Sequence, residues 1–201
     1  YNNIQSNIDL PGTEEGTELI KARGWKSVMF LNETGNSDDQ ILKFDALYKN
    51  EWEYRERLKY VYDVRKWTNM TEFSPTLKTF FEEEIFPYIG VAYIFVTALE
   101  PGGIITEHND IPSGSAPILH DEKLHAYDMC NVFNLCLNDV KSCHAVFNGK
   151  VMPSYDGCMM WTNTGKQHWV VNMNKEPQYK IIFQGFFKKR FREKVVKELY
   201  K

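Results

Sequence analysis

The 201-residue chain lacks any apolar run approaching the roughly 20 residues that cross a bilayer, so no helical anchor and no membrane association are expected. It lacks a basic-plus-apolar leader at its start, although Tyr1 stands there instead of Met. It has little charge of one sign. A net charge of −3 gives no electrostatic footprint for nucleic acid, and no nucleic-acid partner is expected. Cysteine is sparse. Cys130, Cys136, Cys143 and Cys158 show no CxxC spacing, which argues against a zinc knuckle or a dithiol redox motif. Their apolar neighbours, as in Leu135-Cys136-Leu137, favour small buried thiols and a reducing compartment, so a cytoplasmic location is the expectation.

What the chain does have is aromatic and aliphatic bulk, 14% aromatic and 43% hydrophobic, enough for a substantial core. One domain over residues 1–201 is expected, in three parts: a mixed helical and irregular stretch 1–90, a β core 91–186, and a C-terminal helix 187–201. In the first part, Trp25 to Leu31 reads as a strand, and the charged run 51–66 reads as loop or marginal helix. Ser74 and Pro75 suit an N-cap and first helical position, and Leu77, Phe80, Phe81, Glu84 and Ile85 recur at helical spacing until Pro87. Glu82-Glu83-Glu84 fans around that helix as a solvated face rather than a metal cluster.

From residue 91 the pattern changes to short β-branched and aromatic runs at 91–99, 104–108, 131–138, 143–147, 150–153, 158–163, 167–173 and 178–186. Pro101-Gly102-Gly103, Asn148-Gly149 and Asp156-Gly157 punctuate them as turns. Eight short strands in two packed sheets describe a jelly roll. Residues 111–130 are too long for an ordinary connection and read as a lid; their His120 and His125 read as exposed loop residues. The terminal run holds Phe191, Val195 and Leu199 at i, i+4, i+8 among basic residues, an amphipathic helix expected to dock on the sheet or on the helix after Ser74.

The residues that bear chemistry are His108 and Asp110, answered by His168. A His-x-Asp pair at a strand end puts both side chains on one face, because strand side chains alternate with period two. A second imidazole 58 residues beyond Asp110 (168 − 110) is separated by room for four or five strands. Two imidazoles and one carboxylate form a facial triad with adjacent positions open, the usual cradle of oxygen-activating non-haem Fe(II).

The block Leu99-Glu100-Pro101-Gly102-Gly103-Ile104-Ile105-Thr106-Glu107-His108-Asn109-Asp110 resembles the L-x-P-G-x-x-I-x-x-H-x-D signature of the aspartyl/asparaginyl β-hydroxylase-like group of Fe(II)- and 2-oxoglutarate-dependent oxygenases. The segment from Asn163 through His168 and Val170 to Asn172 resembles that group's N-x-x-x-x-H-x-V-x-N. Asn134-Leu135-Cys136-Leu137-Asn138, Asp156-Gly157 and Trp67-Thr68 before Pro75 extend the likeness over about residues 60–186.

The resemblance implies a mainly β, α+β fold, a double-stranded β-helix with N- and C-terminal helices packed on the sheet. It implies a hydroxylase that uses Fe(II), 2-oxoglutarate and molecular oxygen on an amino-acid, peptide or related small polar substrate, with His108, Asp110 and His168 as catalytic metal ligands. Where the group carries an arginine for the far carboxylate of 2-oxoglutarate, this chain has Gln178, which offers no charge and no guanidinium fork. Lys180, two strand positions on, shares its face and can supply the counter-charge; Asn134 and Asn172 are further candidates to line the cosubstrate site. Two other readings stay open: a cupin-like metal dioxygenase that does not use 2-oxoglutarate, and a non-catalytic jelly-roll binding module.

Overall fold

A computed structural model of the chain describes residues 22–39, 59–108, 131–138, 143–152, 155–162, 167–191 and 193. Asp110, the expected lid 111–130 with His120 and His125, Cys130, and most of the expected C-terminal helix lie outside them.

Among the described residues nine strands form one sheet: β1 (Ala22–Asn32), β2 (Lys66–Trp67), β3 (Ile89–His108), β4 (Asn131–Cys136), β5 (Cys143–Phe147), β6 (Lys150–Met152), β7 (Met159–Thr162), β8 (His168–Asn172) and β9 (Gln178–Phe187). Their order is β6-β5-β8-β3-β9-β4-β7, with β1 paired to β3 and to β2, and every pairing is antiparallel. The sheet curls on itself. Met152 of β6 packs against Cys136, Cys158 and Met160 at the opposite end of that order. This is jelly-roll connectivity, with the β3-β9-β4-β7 half facing the β3-β8-β5-β6 half.

The expected strands are present, with one correction. Residues 91–99 and 104–108 are a single 20-residue strand, and Pro101-Gly102-Gly103 does not reverse the chain. Instead β3 changes partner there, pairing with β9 up to Leu99↔Gln178 and with β8 from Ile104↔Val171. Gly102 takes φ +70, and a Cβ on Gly103 would lie 2.7 Å from the Glu100 carbonyl oxygen, so the handover needs glycine. Asn148 and Gly149 both have positive φ (49 and 73), as a tight β5–β6 hairpin requires.

The helix after Ser74 forms as α1 (Pro75–Phe80) and continues as a π turn over Phe81–Ile85. Pro75 sits in its first turn, but the Ser74 side chain makes no capping bond. The wider turn directs Phe81 and Ile85 onto the sheet while Phe80 stays at the surface. There Phe183 lies face to face with Phe133 (ring centres 4.8 Å) and edge-on to Phe81 (5.2 Å), joined by Leu31, Ile94 and Ile181. Beyond β9, Phe191 stacks on Phe187 at 4.3 Å. Residues 59–64 are helical, and Val61 is buried against Met29, Ala92, Tyr93 and Phe95 on the other side of the sheet. None of the helices among the described residues is long and apolar enough to cross a membrane.

Candidate metal and anion site

His108 and His168 are direct cross-strand partners, the last residue of β3 against the first of β8. Their ring centres are 4.2 Å apart and tilted by 52°. On the far side of His168, its β5 partner Phe147 stacks parallel to the imidazole, 4.9 Å away at 3°. His168 is therefore held between two rings and is 7% exposed. His108 Nδ1 lies 2.7 Å from the Thr106 carbonyl oxygen. A carbonyl only accepts, so this contact fixes Nδ1 as the N–H and leaves the lone pair on Nε2.

The donor chemistry can be tested against a first-row divalent ion. Two imidazoles bound at right angles, each about 2.1 Å from one ion, have ring centres about 4.5 Å apart. The observed 4.2 Å is within that reach, so His108 and His168 fit as two neighbouring ligands. Among the described residues no third His, Cys, Asp or Glu completes the set; Asp110, the expected third ligand, lies outside them.

Gln178 and Lys180 point to the concave face of the curled sheet, alternating with exposed Tyr179. Gln178 is 2% exposed and Lys180 6%. Gln178 Oε1 accepts a hydrogen bond from Cys143 Sγ at 2.8 Å, although Cys143 lies on β5, three places away in the sheet order. The curl brings them together. Cys136, opposite Lys180 on β4, lines the same face, and Thr97 donates to the Lys180 carbonyl oxygen at 3.5 Å. Burial pushes the Cys143 thiol up from 9.0 to about 11; Cys136 adds to the rise and the positive charge of Lys180 opposes it. No carboxylate among the described residues pairs with the Lys180 ammonium.

The two asparagines take different positions. Asn134 donates to Thr162 Oγ1 at 3.2 Å, and Thr162 donates on to the Val132 carbonyl; both face the concave side. Asn172 is fully buried and braces the β3 handover. Its Nδ2 donates to the Leu99 and Glu176 carbonyls, each at 2.8 Å, and its Oδ1 accepts from Asn174 N–H. It lies four residues, about 13 Å, along β8 from His168. Cys136, Cys143 and Cys158 are buried and none of them is in a disulfide, as their apolar neighbours suggest.

Sequence reasoning missed Phe147 and Cys143. The hairpin at Asn148-Gly149 fixes the register of Phe147, but its pairing with His168 depends on which strand β5 adjoins. Cys143 read as core filler because its partner Gln178 is brought to it only by the curl.

No family model matches the chain, and no curated protein matches it. Solved structures that resemble it in part include a predicted oxalate decarboxylase from Thermotoga maritima (16% identity, TM-score 0.34, covering 48% of this chain and 67% of that one). A cupin domain of an XRE-family transcriptional regulator from Enterobacter cloacae gives 13% identity and a TM-score of 0.33, over 47% of this chain and 80% of that one. KdgF from Halomonas sp. gives 9% and 0.32, over 49% and 71%. Likenesses of this size bring neither chemistry nor substrate to this chain.

Proposed function

We propose that this chain is a metal-dependent oxygenase of jelly-roll fold that binds Fe(II) through His108, His168 and Asp110 and uses 2-oxoglutarate and oxygen to hydroxylate a C–H bond of an amino-acid, peptide or related small polar substrate. The observation that supports it most is the direct cross-strand pairing of His108 and His168, with rings 4.2 Å apart and the Thr106 carbonyl at His108 Nδ1. Bound there, iron with 2-oxoglutarate would supply the oxidation. The part left to the protein is binding, orientation and exclusion of water. Phe147 walls off one face of His168. Lys180 offers a buried positive charge for a carboxylate, beside the Gln178 amide. Asn134 and Thr162 add polar groups to the same concave face.

The test is oxygen uptake by the iron-loaded protein over a panel of amino acids and peptides, with and without 2-oxoglutarate. Uptake coupled one-to-one to succinate is the expected result. Uptake indifferent to 2-oxoglutarate selects the second reading, a cupin-like dioxygenase. That reading is favoured by Gln178, whose buried amide engages Cys143 where an arginine fork would otherwise hold the cosubstrate.

A further inference from the structure

We infer that Phe147 is a positioning residue: stacked flat on His168, it sets the plane of that imidazole in advance, so that His168 and His108 converge on one divalent ion. The inference rests on the metal reading of the two histidines and goes beyond it by assigning a role to a residue that cannot itself be a ligand.

The placement of Phe147 follows from local structure. Asn148 and Gly149, at φ 49 and 73, close the β5–β6 hairpin immediately after it. Asn148 N–H donates to the Gln167 carbonyl at 2.8 Å, which ties the hairpin to the residue before His168. That bond makes Asn148 and Gln167 a hydrogen-bonded pair. Phe147 and His168 therefore fall on the next, non-hydrogen-bonded pair, where opposed side chains lie closest.

An imidazole on a strand can still turn about its Cβ–Cγ bond, and that turn swings both ring nitrogens. Phe147 blocks it. The two rings are parallel to within 3° with centres 4.9 Å apart, and His168 is 7% exposed, so a rotated imidazole would drive its edge into the phenyl face. The stack engages only the face of the imidazole. Its nitrogens point outward in the ring plane, so the contact sets their direction without competing for a lone pair or proton, whatever other bond they make. For His108 the Thr106 carbonyl does the corresponding work at Nδ1. One ligand is oriented by a hydrogen bond and the other by a packed face, and the rotamer freedom is given up on folding rather than on binding.

The experiment measures Co(II) binding to the full chain by equilibrium dialysis. Phe147→Leu, which keeps apolar bulk but has no flat face, should bind about three- to tenfold more weakly than wild type, the span of one aromatic stacking contact. Phe147→Tyr, which restores the face, should bind within about twofold of wild type. In parallel, proton NMR of the metal-free chain reads the ring directly. The His168 imidazole C–H protons, identified by their absence in His168→Gln, should lie upfield of those of an unstacked histidine and move downfield in Phe147→Leu. The wild-type shift stands as a test even if the leucine variant does not fold.

Wild-type Co(II) affinity in Phe147→Leu, or His168 protons without an upfield shift in wild type, overturns the role of Phe147. Equal weakening in Phe147→Tyr and Phe147→Leu overturns it too, since the residue then only fills space. In each case Co(II) binding that His168→Ala abolishes leaves the metal reading in place. If wild type binds no Co(II), the metal reading falls and the inference falls with it.

Discussion

Lys180→Met should make the ligand-free protein more stable, not less. An ammonium 6% exposed with no carboxylate partner among the described residues carries a desolvation penalty of several kcal/mol that a partnered one would recover. Methionine keeps most of the stem's length and apolar contact and removes the charge. By analogy with buried charges replaced by apolar residues, the gain is about 1–3 kcal/mol. With a urea slope of about 2 kcal/mol/M, the midpoint should rise by about 0.5–1.5 M. Ligand should narrow or close that gap. At 100 times its Kd, 2-oxoglutarate adds about 2.7 kcal/mol to wild type. Loss of a charge-assisted contact weakens binding roughly ten- to a hundredfold, so the variant at the same concentration gains only about 0.4–1.4 kcal/mol. The assay is urea unfolding of both proteins with and without 2-oxoglutarate. A ligand-free Lys180→Met less stable than wild type, with the ligand increment unchanged, would show that the ammonium serves the fold, and the anion site would be lost with it.

Three further outcomes bear on the rest of the site. His108→Ala and His168→Ala should each abolish stoichiometric Co(II) binding in equilibrium dialysis, and Asp110→Ala should weaken it, whereas His120→Ala and His125→Ala should leave it intact; equal losses at all five positions would move the metal into the 111–130 segment. Asn172→Ala strips the buried Leu99 carbonyl and the half-exposed Glu176 carbonyl of their donor, so the urea midpoint should fall by the equivalent of about 1–3 kcal/mol, and a change under about 0.5 kcal/mol would mean the β3 handover holds without its brace. The raised Cys143 thiol keeps its proton when folded and loses it near pH 9 when unfolded, so its contribution is complete below about pH 9 and is lost as pH rises through about 11. Wild type should lose about 2–3 kcal/mol more than Cys143→Ser across that window in alkaline unfolding, and parallel curves would contradict the assignment.

The strands were legible because their apolar runs are local, and the Asn148-Gly149 hairpin because positive φ at both positions is a demand only a few residue types meet. Pro101-Gly102-Gly103 misled for a related reason. Glycine marks unusual backbone, but whether the chain reverses or passes on to a new partner is decided by β8 and β9, which lie more than sixty residues away. The histidines were legible as a spacing pattern, and the structure brings His108 and His168 together; Asp110 lies outside the described residues. Lys180 was legible as a face, since period two places it with Gln178, but its burial was not, because a lysine two from a glutamine on a strand looks the same on a wet sheet as on a closed one. Phe147 and Cys143 carried no local signal. Each is defined by a residue on another strand, and only the order of the sheet discloses it.

That order also divides labour between the two faces. The larger aromatic core lies where α1 and the π turn cover the sheet, around Phe81, Phe133, Phe183 and Phe187. The concave face carries Gln178, Lys180, Cys143, Asn134, Thr162 and His168 beside the smaller apolar cluster of Met29, Val61, Tyr93 and Phe95, polar groups that cost free energy to bury unless each finds a partner. A jelly roll stabilised only by its interior would fill that space with leucine and valine. Here β9 does both jobs through its alternation: Ile181 and Phe183 anchor it to the helix side, and Gln178 and Lys180, three positions before each of them, turn inward. Mutations on the two faces should therefore separate. Losses at Phe183 or Phe81 should appear as unfolding with any remaining folded protein still binding ligand, while changes at Lys180 or Gln178 should spare or raise stability and remove binding. A sheet whose larger core lies on its outer face can hold a lysine within that has no carboxylate partner among the described residues, and that tolerance is the physical condition for keeping an anion site there.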